Sequence, residues 1–233
     1  MIRLLLLLPM LLVIGCGVSG NNPSDLGFLP SRPQKGTVFR SYNAIGPAQW
    51  SNNWTSNFDF TGVSWNDKRT VTAVSRTRVV MAGHFIRPAD VSVVFHDRSG
   101  NVHLRVLRNI RGLSNLGDIA IADLDQPLPP GVAHYPMVNA SAATYKRAVI
   151  VTDQTMTASI HRVGKVSGRR VVLGNDPEIP KTYWRNLISG DSGNPAFLIQ
   201  NGRLQLLTTF TTGGSGTGPF YGDPEIQAAV LAP

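Results

Sequence analysis

Short apolar segments recur along the chain from about residue 58, and turn-forming residues separate them. Several of these segments alternate apolar with polar residues and are rich in Val, Ile and Thr, which is typical of half-buried β-strands. The predicted strands carry the sequences TVTAVS, RVVMAG, VSVVFHD, NVHLRVLRNI, DIAIADL, RAVIVTD, MTASIHRVG, RRVVLG, NPAFLIQ and RLQLLTTF. Roughly ten to twelve strands at this spacing predict an all-β sandwich or barrel.

Turn and helix signals complete this pattern. Hairpin turns are predicted at residues 97–101 and 200–203, and the second contains the pair Asn201-Gly202, which tolerates positive φ. A helical pattern is found only from Pro224 to Leu231, so we expect one short C-terminal helix.

The N-terminus has the pattern of an export signal. Arg3 precedes an apolar run from Leu4 to Ile14, which is well short of the ~20 residues needed to span a bilayer. The run ends in Val-Ile-Gly-Cys16, which resembles the lipobox of bacterial lipoproteins and implies that Cys16 is acylated; an ordinary signal peptide is the alternative. We therefore expect a signal peptide at 1–15 and a protein anchored in the cell envelope. Gly17 favours the outer membrane where the host has one.

The segment after the signal differs from the rest of the chain. Residues 17–57 are rich in Asn, Ser, Pro and Gly and lack a sustained period. We interpret residues 16–57 as a lipidated tether and extended arm, followed by a folded domain at 58–233. The aromatic residues of the arm are expected to pack its last part onto the domain; they are Phe39, Tyr42, Trp50 and Trp54.

The composition of the chain limits which partners and cofactors are expected. Cys16 is the single cysteine, so the folded domain has no intrachain disulfide. The formal charge of +8 comes from scattered basic residues without an aromatic-basic repeat, so nucleic-acid binding is not predicted. The five histidines are dispersed, and the glycine-rich GGSGTGP lacks the lysine of a P-loop. We expect a monomer without a metal or cofactor.

Three segments carry the candidate chemistry, namely VVMAGHF at 79–85, GDIAI at 117–121 and GDSGNP at 190–195. Their order and content resemble the segments around the catalytic His, Asp and Ser of trypsin-like and chymotrypsin-like serine proteases, over roughly residues 58–218. The resemblance implies a chymotrypsin-like double six-stranded β-barrel and a triad of His84, Asp118 and Ser192.

These residue types suit acyl transfer. A serine hydroxyl is a poor nucleophile at neutral pH and needs a base, here His84, to take its proton. Asp118 would hold the other ring nitrogen and stabilise the imidazolium. The flanking glycines allow the amides of Gly190 and Ser192 to converge on the oxyanion. Other candidates exist; for the carboxylate they are Asp123 and Asp125, and for the base His96, His103, His134 and His161.

The chain departs from the family pattern at two points. Met81 stands where threonine is common, and Asn194 replaces the second glycine after the serine; Asn tolerates left-handed backbone, so we expect the turn to form. Asp191 corresponds to the aspartate that, in digestive members of the family, pairs with an amino terminus released by cleavage. We expect an internal cation or hydrogen-bond donor to satisfy it, and no activation of that type.

Substrate specificity is predicted from position along the motifs. By the resemblance, Asn186, six residues before the serine, lies at the base of the primary pocket, and its neutral amide argues against a preference for Arg or Lys. Ser189 belongs to the same wall, and Thr209 and Phe210 are expected on another, with Gly213 and Gly214 leaving space beside it.

The function expected from these residues is that of an exported serine endopeptidase acting on proteins or peptides. The first alternative is a protease-fold lipoprotein that has lost catalysis and binds proteins or peptides. The second is a β-rich adhesin in which the three motifs coincide by chance. Mutual distances among His84, Asp118 and Ser192 separate the adhesin from the other two.

Overall fold

The computed structural model describes residues 23–232, and over that range the chain forms fifteen β-strands and one α-helix. The first three strands are Gly36–Thr37 (β1), Phe39–Ser41 (β2) and Gln49–Trp50 (β3). The next six are Val63–Ser64 (β4), Val71–Ala73 (β5), Arg78–Ala82 (β6), Ser92–His96 (β7), Val102–Gly112 (β8) and Ile119–Leu124 (β9). The last six are Ala148–Thr152 (β10), Thr157–Ser167 (β11), Arg170–Gly174 (β12), Pro195–Gln200 (β13), Arg203–Thr209 (β14) and Thr217–Pro219 (β15).

Six strands form the first sheet, in the order β4-β5-β6-β9-β8-β7. The sheet curls into a nearly closed barrel, and β7 returns to β4, where the Val94 amide donates to Ser64 Oγ at 3.0 Å. Its interior is a cluster of buried apolar side chains that includes Val71, Val79 and Phe95. The strands were expected to be half-buried, but β5, β6, β7 and β9 are buried at nearly every position. Val79 faces this cluster, whereas Val80 and Ile121 face a second buried cluster that lies between the two sheets.

The second sheet has the order β14-β13-β10-β11-β12-β15, with β1 paired to β11. It forms a half-barrel around a second buried cluster that includes Val149, Val163 and Leu198. The predicted all-β class, with two barrel-like sheets, is confirmed. This sheet differs from a closed six-stranded barrel because β15, with three residues, pairs with β12 and leaves no regular ladder to β14.

The arm is built into the fold from Asp25 onwards, where the Asp25 carboxylate accepts the Ala148 amide at 2.8 Å. β1 pairs antiparallel with β11, with Gly36 opposite Ala158. Trp54 lies in a 3₁₀ turn, Trp54–Asn57, and is buried in the cluster between the sheets. The expected packing of the arm aromatics is confirmed; Phe39, Tyr42 and Trp50 are partly buried against the same cluster.

The predicted helix is confirmed as Pro224–Leu231 (α1). The Asp223 side chain caps it by accepting hydrogen bonds from the amides of Glu225 and Ile226. The helix anchors through Ile226 and Val230, which are fully buried. No helix among residues 23–232 is long and apolar enough to cross a bilayer, and Cys16 lies outside the described residues.

Candidate active site

The register between two strands of the first barrel brings His84 and Asp118 together. β6 pairs antiparallel with β9, with Ala82 opposite Ile119. His84 follows β6 in a 3₁₀ turn, Gly83–Phe85, and Asp118 immediately precedes β9. Because the end of one antiparallel strand lies beside the start of its partner, His84 and Asp118 are in direct contact although they are 34 residues apart in the sequence.

Asp118 holds His84 at two points. One carboxylate oxygen accepts the His84 backbone amide at 2.7 Å, and the other lies 2.5 Å from His84 Nδ1. Gly83 makes this approach possible because a Cβ there would lie 2.8 Å from Asp118 Oδ1. With Nδ1 as the donor to Asp118, His84 Nε2 carries the lone pair of the neutral ring.

Ser192 comes from the second barrel, in the loop before β13. Its Oγ lies 2.9 Å from His84 Nε2, so an uninterrupted chain of contacts runs Asp118–His84–Ser192. Gly193, with φ of +85°, lets this loop press against the first barrel. A Cβ there would lie 3.0 Å from the Thr70 carbonyl oxygen and 3.3 Å from the Ala82 amide nitrogen. The serine meets its base across the contact between the two barrels.

The backbone amides of residues 190–194 differ in whether they have an acceptor. The amide of Asp191 donates to Ile188 O at 3.0 Å, that of Gly193 to Phe210 O at 2.8 Å and that of Asn194 to Asp191 O at 3.1 Å. Those of Gly190 and Ser192 have no acceptor among the described residues. Free amide donors on either side of Asp191 match the pair that the sequence indicates for binding an oxyanion.

Asp191 is held by backbone amides rather than by a cation. The residue is 1% exposed, and its two carboxylate oxygens accept from the amides of Gln154 at 3.0 Å and Ile188 at 2.8 Å. Buried carboxylates are stabilised by such donors, and here both oxygens have one. The expectation that an internal donor satisfies Asp191 is confirmed.

Asn194 serves the serine loop through its side chain. Its φ is not positive; the left-handed backbone conformation falls on Gly193. The side-chain oxygen of Asn194 accepts from Trp65 Nε1 at 3.1 Å, and its Nδ2 donates to Asp191 O at 3.1 Å. The turn expected at this position forms, and the Asn194 amide donates to Asp191 O at 3.1 Å. Trp65 follows β4, so the amide links the first barrel to the serine loop of the second.

The hydroxyl groups of Tyr221 and Thr209 form a buried pair near Asp118. Tyr221 is completely buried, and its hydroxyl is 3.1 Å from Thr209 Oγ1. Burial raises the pKa of Tyr221, the hydrogen bond with Thr209 opposes the rise, and the negative charge of Asp118 adds to it. Tyr221 therefore remains protonated at neutral pH and adds no negative charge beside the Asp118–His84 pair.

The two predicted pocket walls are hydrogen-bonded to each other. Leu187 and Gly214 exchange both backbone hydrogen bonds, at 2.8 and 3.0 Å. Asn186 and Ser189 are exposed on the first of these segments. Thr209 and Phe210 are buried, and the Phe210 ring lies so close to Gly216 that a Cβ there would overlap Phe210 Cζ. Substrate contact by these four residues stays a prediction.

A surface cavity of about 470 Å³ adjoins the carboxylate. Asn115, Gly117 and Asp118 line one side of it and Arg170 and Thr212 the other. Of the three residues His84, Asp118 and Ser192, only Asp118 lines this cavity. A larger cavity of about 830 Å³, lined by His134 and Gln227 among others, includes none of the three residues.

The other histidines and aspartates weighed from the sequence have different surroundings. Asp123 pairs with Arg78, Asp125 accepts the Val106 amide, His96 lies near the carbonyls of Asn43 and Gly46, and His103 contacts Asp97. His134 is exposed, and His161 is buried in the second barrel. The hydrogen-bond partner of Ser192 Oγ in the described chain is His84.

Sequence reasoning missed Gln154, Trp65 and Tyr221. Gln154 and Trp65 reach the serine loop from segments far apart in the chain, whereas Tyr221 pairs with Thr209, twelve residues before it. None of the three belongs to a local motif. No three His, Cys, Asp or Glu side chains of residues 23–232 converge as a metal site requires. No protein-family model and no curated protein matches this chain.

Proposed function

We propose that this protein is a serine endopeptidase that hydrolyses peptide bonds through an acyl-enzyme. The observation that carries the proposal is the hydrogen-bonded chain Asp118–His84–Ser192, with contacts of 2.5 and 2.9 Å. The free amides of Gly190 and Ser192 beside the nucleophile support it further. Coincident motifs on an unrelated adhesin would not bring three distant residues to these distances.

Acylation follows from this geometry. Ser192 Oγ attacks the carbonyl carbon of the substrate while its proton passes to His84 Nε2, and the carbonyl π bond becomes a lone pair on oxygen. The amides of Gly190 and Ser192 donate to that oxyanion, each worth roughly 3 kcal/mol in the transition state. The carbon–nitrogen bond then breaks, and the departing amine takes the proton from His84.

Deacylation uses the same groups in reverse. A water molecule attacks the ester carbon, and its proton passes to His84 Nε2. The second tetrahedral intermediate collapses by breaking the bond to Ser192 Oγ, which recovers its proton from His84 and releases the acid. Asp118 keeps the ring oriented through both steps. The side chain of His84 is 47% exposed, which leaves the ring accessible to substrate and water.

Labelling of the purified full-length protein with a fluorophosphonate probe tests the activated serine. We expect wild type to label, Ser192→Ala to lose labelling and His84→Ala to slow it by roughly 10²- to 10⁴-fold, the contribution of a general base. The exposed residues Ser99 and His134 provide matched controls. Ser99→Ala and His134→Ala should label like wild type.

Peptide-bond hydrolysis is then measured by mass spectrometry of a digested peptide library. Cleavage by wild type and none by Ser192→Ala is the expected result. A folded wild-type protein that neither labels nor cleaves would contradict the proposal and favour the protein-binding or peptide-binding lipoprotein. Export and attachment to the cell envelope through lipidated Cys16 are part of the proposal and rest on the N-terminal sequence alone.

A further inference from the structure

Gln154 contacts the serine loop at two points. The residue lies between β10 and β11, and its backbone amide donates to Asp191 Oδ1 at 3.0 Å. Its side-chain Nε2 donates to the carbonyl oxygen of Ser189, also at 3.0 Å. The amide group lies directly over Gly190, since a Cβ there would be 2.6 Å from Gln154 Nε2 and 2.7 Å from Oε1.

The hydrogen bond from Gln154 Nε2 to the Ser189 carbonyl oxygen affects the oxyanion site because it fixes the orientation of a peptide group. The carbonyl of Ser189 and the amide of Gly190 belong to one planar trans peptide, in which C=O and N–H point in opposite directions. A donor that holds the Ser189 oxygen on one side therefore aims the Gly190 N–H to the other side. That N–H has no acceptor among the described residues and is free for an oxyanion.

Glycine makes this peptide easy to reverse. Gly190 has φ of +97°, and glycine occupies positive and negative φ about equally well. Rotation of the Ser189–Gly190 peptide would turn a carbonyl oxygen towards the site where negative charge develops. The backbone of Gly190 does not prevent this by itself, so an external contact has to select one orientation.

The turn that carries Gln154 is well anchored. The neighbouring Asp153 is 1% exposed and accepts from the amide and hydroxyl of Thr155 at 2.7 and 2.6 Å. Arg185 Nε lies 2.9 Å from the other oxygen of Asp153, which ties the turn to the segment that leads into the serine loop. A residue on such a turn can hold a peptide in place.

We infer that Gln154 is a positioning residue, whose side-chain amide holds the Ser189–Gly190 peptide with the Gly190 N–H aimed at the oxyanion. This inference rests on the proposed peptidase function. The side chain does not touch the reacting atoms, and it acts through Gly190. A donor is required, because a carboxylate at the same place would repel the Ser189 carbonyl oxygen.

Three substitutions distinguish the effect of the hydrogen-bond donor from the effect of side-chain volume. Gln154→Leu keeps volume and removes the donor, Gln154→Glu replaces the donor with a negative charge, and Gln154→Lys restores a donor. The backbone bond to Asp191 remains in all three. Gln126 is exposed on a connection outside the serine loop, so Gln126→Leu is the matched control.

The kinetic readout is kcat and KM for a cleaved peptide, with the rate of fluorophosphonate labelling. We expect kcat to fall about tenfold in Gln154→Leu and ~10²-fold in Gln154→Glu, close to the loss of one oxyanion donor. KM should stay within about twofold, because this donor acts in the transition state. Gln154→Lys should recover part of the loss. Equal kcat in wild type and Gln154→Leu would overturn the inference.

Crystal structures of wild type and Gln154→Glu test the same inference independently of activity. The expected result is a Ser189–Gly190 peptide reversed in the variant and oriented in wild type as described above. An unchanged peptide in Gln154→Glu would overturn the inference. Absence of labelling in wild type would count against the proposed function, and these two structures would then decide the role of Gln154.

Discussion

Gly83 illustrates how a single missing side chain shapes the site. The Asp118 carboxylate reaches the His84 amide at 2.7 Å only because nothing projects from the residue between β6 and His84. The residue has no positive φ, so its requirement is for space and not for an unusual backbone. Any Cβ at this point has to displace the carboxylate or the turn.

We therefore predict that Gly83→Ala slows fluorophosphonate labelling by ~10²-fold, the order expected from a displacement of about 1 Å in a catalytic group. The added methyl would lie 2.8 Å from Asp118 Oδ1. Gly112→Ala is the control, since a Cβ at that glycine has no atom within 4 Å. Labelling of Gly83→Ala at the wild-type rate would show that Asp118 can move without consequence.

The three residues proposed as the triad could be predicted because each lies in a short motif that is readable without the fold. The amides of Gly190 and Ser192 could be predicted for the same reason, but the side chains that hold the serine loop in place could not. Nothing in the local sequence of Gln154 indicates that it meets Ser189, 35 residues away. The sequence predicted that the turn forms with Asn194 in place of glycine, but not that the Asn194 side chain binds Trp65 from the other barrel. Such contacts depend on how two separate loops pack.

At the scale of elements, the length of a strand decides whether the sequence alone predicts it. Each of the ten predicted runs corresponds to one strand, from β5 to β14, although β8 and β11 extend two and three residues past their runs. The helix occupies the predicted range 224–231. The strands that were missed, β1 to β4 and β15, have two or three residues each. A period of two cannot be recognised over so short a stretch, so these strands are set by their partners.

The arm gives the clearest prediction at this scale. Trp54 is 4% exposed, and its ring has edge contacts with Phe58 and Tyr183, at 6.4 and 6.0 Å between centroids. Its Nε1 also donates to Gln34 O at 3.2 Å. A side chain this large leaves a cavity between the arm and the two sheets when it is removed.

We predict that Trp54→Ala lowers the free energy of unfolding by about 3–5 kcal/mol, measured by urea denaturation. Tyr145 is 71% exposed, so the control variant Tyr145→Ala should change the free energy of unfolding by less than about 0.5 kcal/mol. A loss below ~1 kcal/mol in Trp54→Ala would mean that the arm is not part of the cooperative fold.

For the whole molecule, His161 links stability to pH. It is fully buried in the second barrel, and neither ring nitrogen has a hydrogen-bond partner of regular geometry. Burial lowers the pKa of His161 to about 4, although backbone groups of Ser215 and Arg185 act in the opposite direction. An unfolded histidine titrates near ~6.5. Between these values the unfolded chain binds more protons than the folded one.

Buried, neutral His161 therefore contributes to the free energy of unfolding above pH ~6.5, and this contribution is lost as the pH falls towards about 4. We predict that wild type loses about 2–3 kcal/mol more than His161→Gln between pH 7.5 and ~4.5 in urea denaturation. His134 is exposed, and His134→Gln should retain the wild-type pH dependence. Parallel curves for wild type and His161→Gln would refute this assignment.

The sequence by itself determined the class of fold, the positions of the longer strands and the helix, and the three residues proposed for catalysis. These features depend on local period and on short motifs, which are properties of neighbouring residues. The tertiary structure alone decided which donors satisfy Asp191 and which residue holds the Ser189–Gly190 peptide. The orientation of a peptide in a loop follows from contacts with distant segments, and those contacts exist only once the two barrels have packed together.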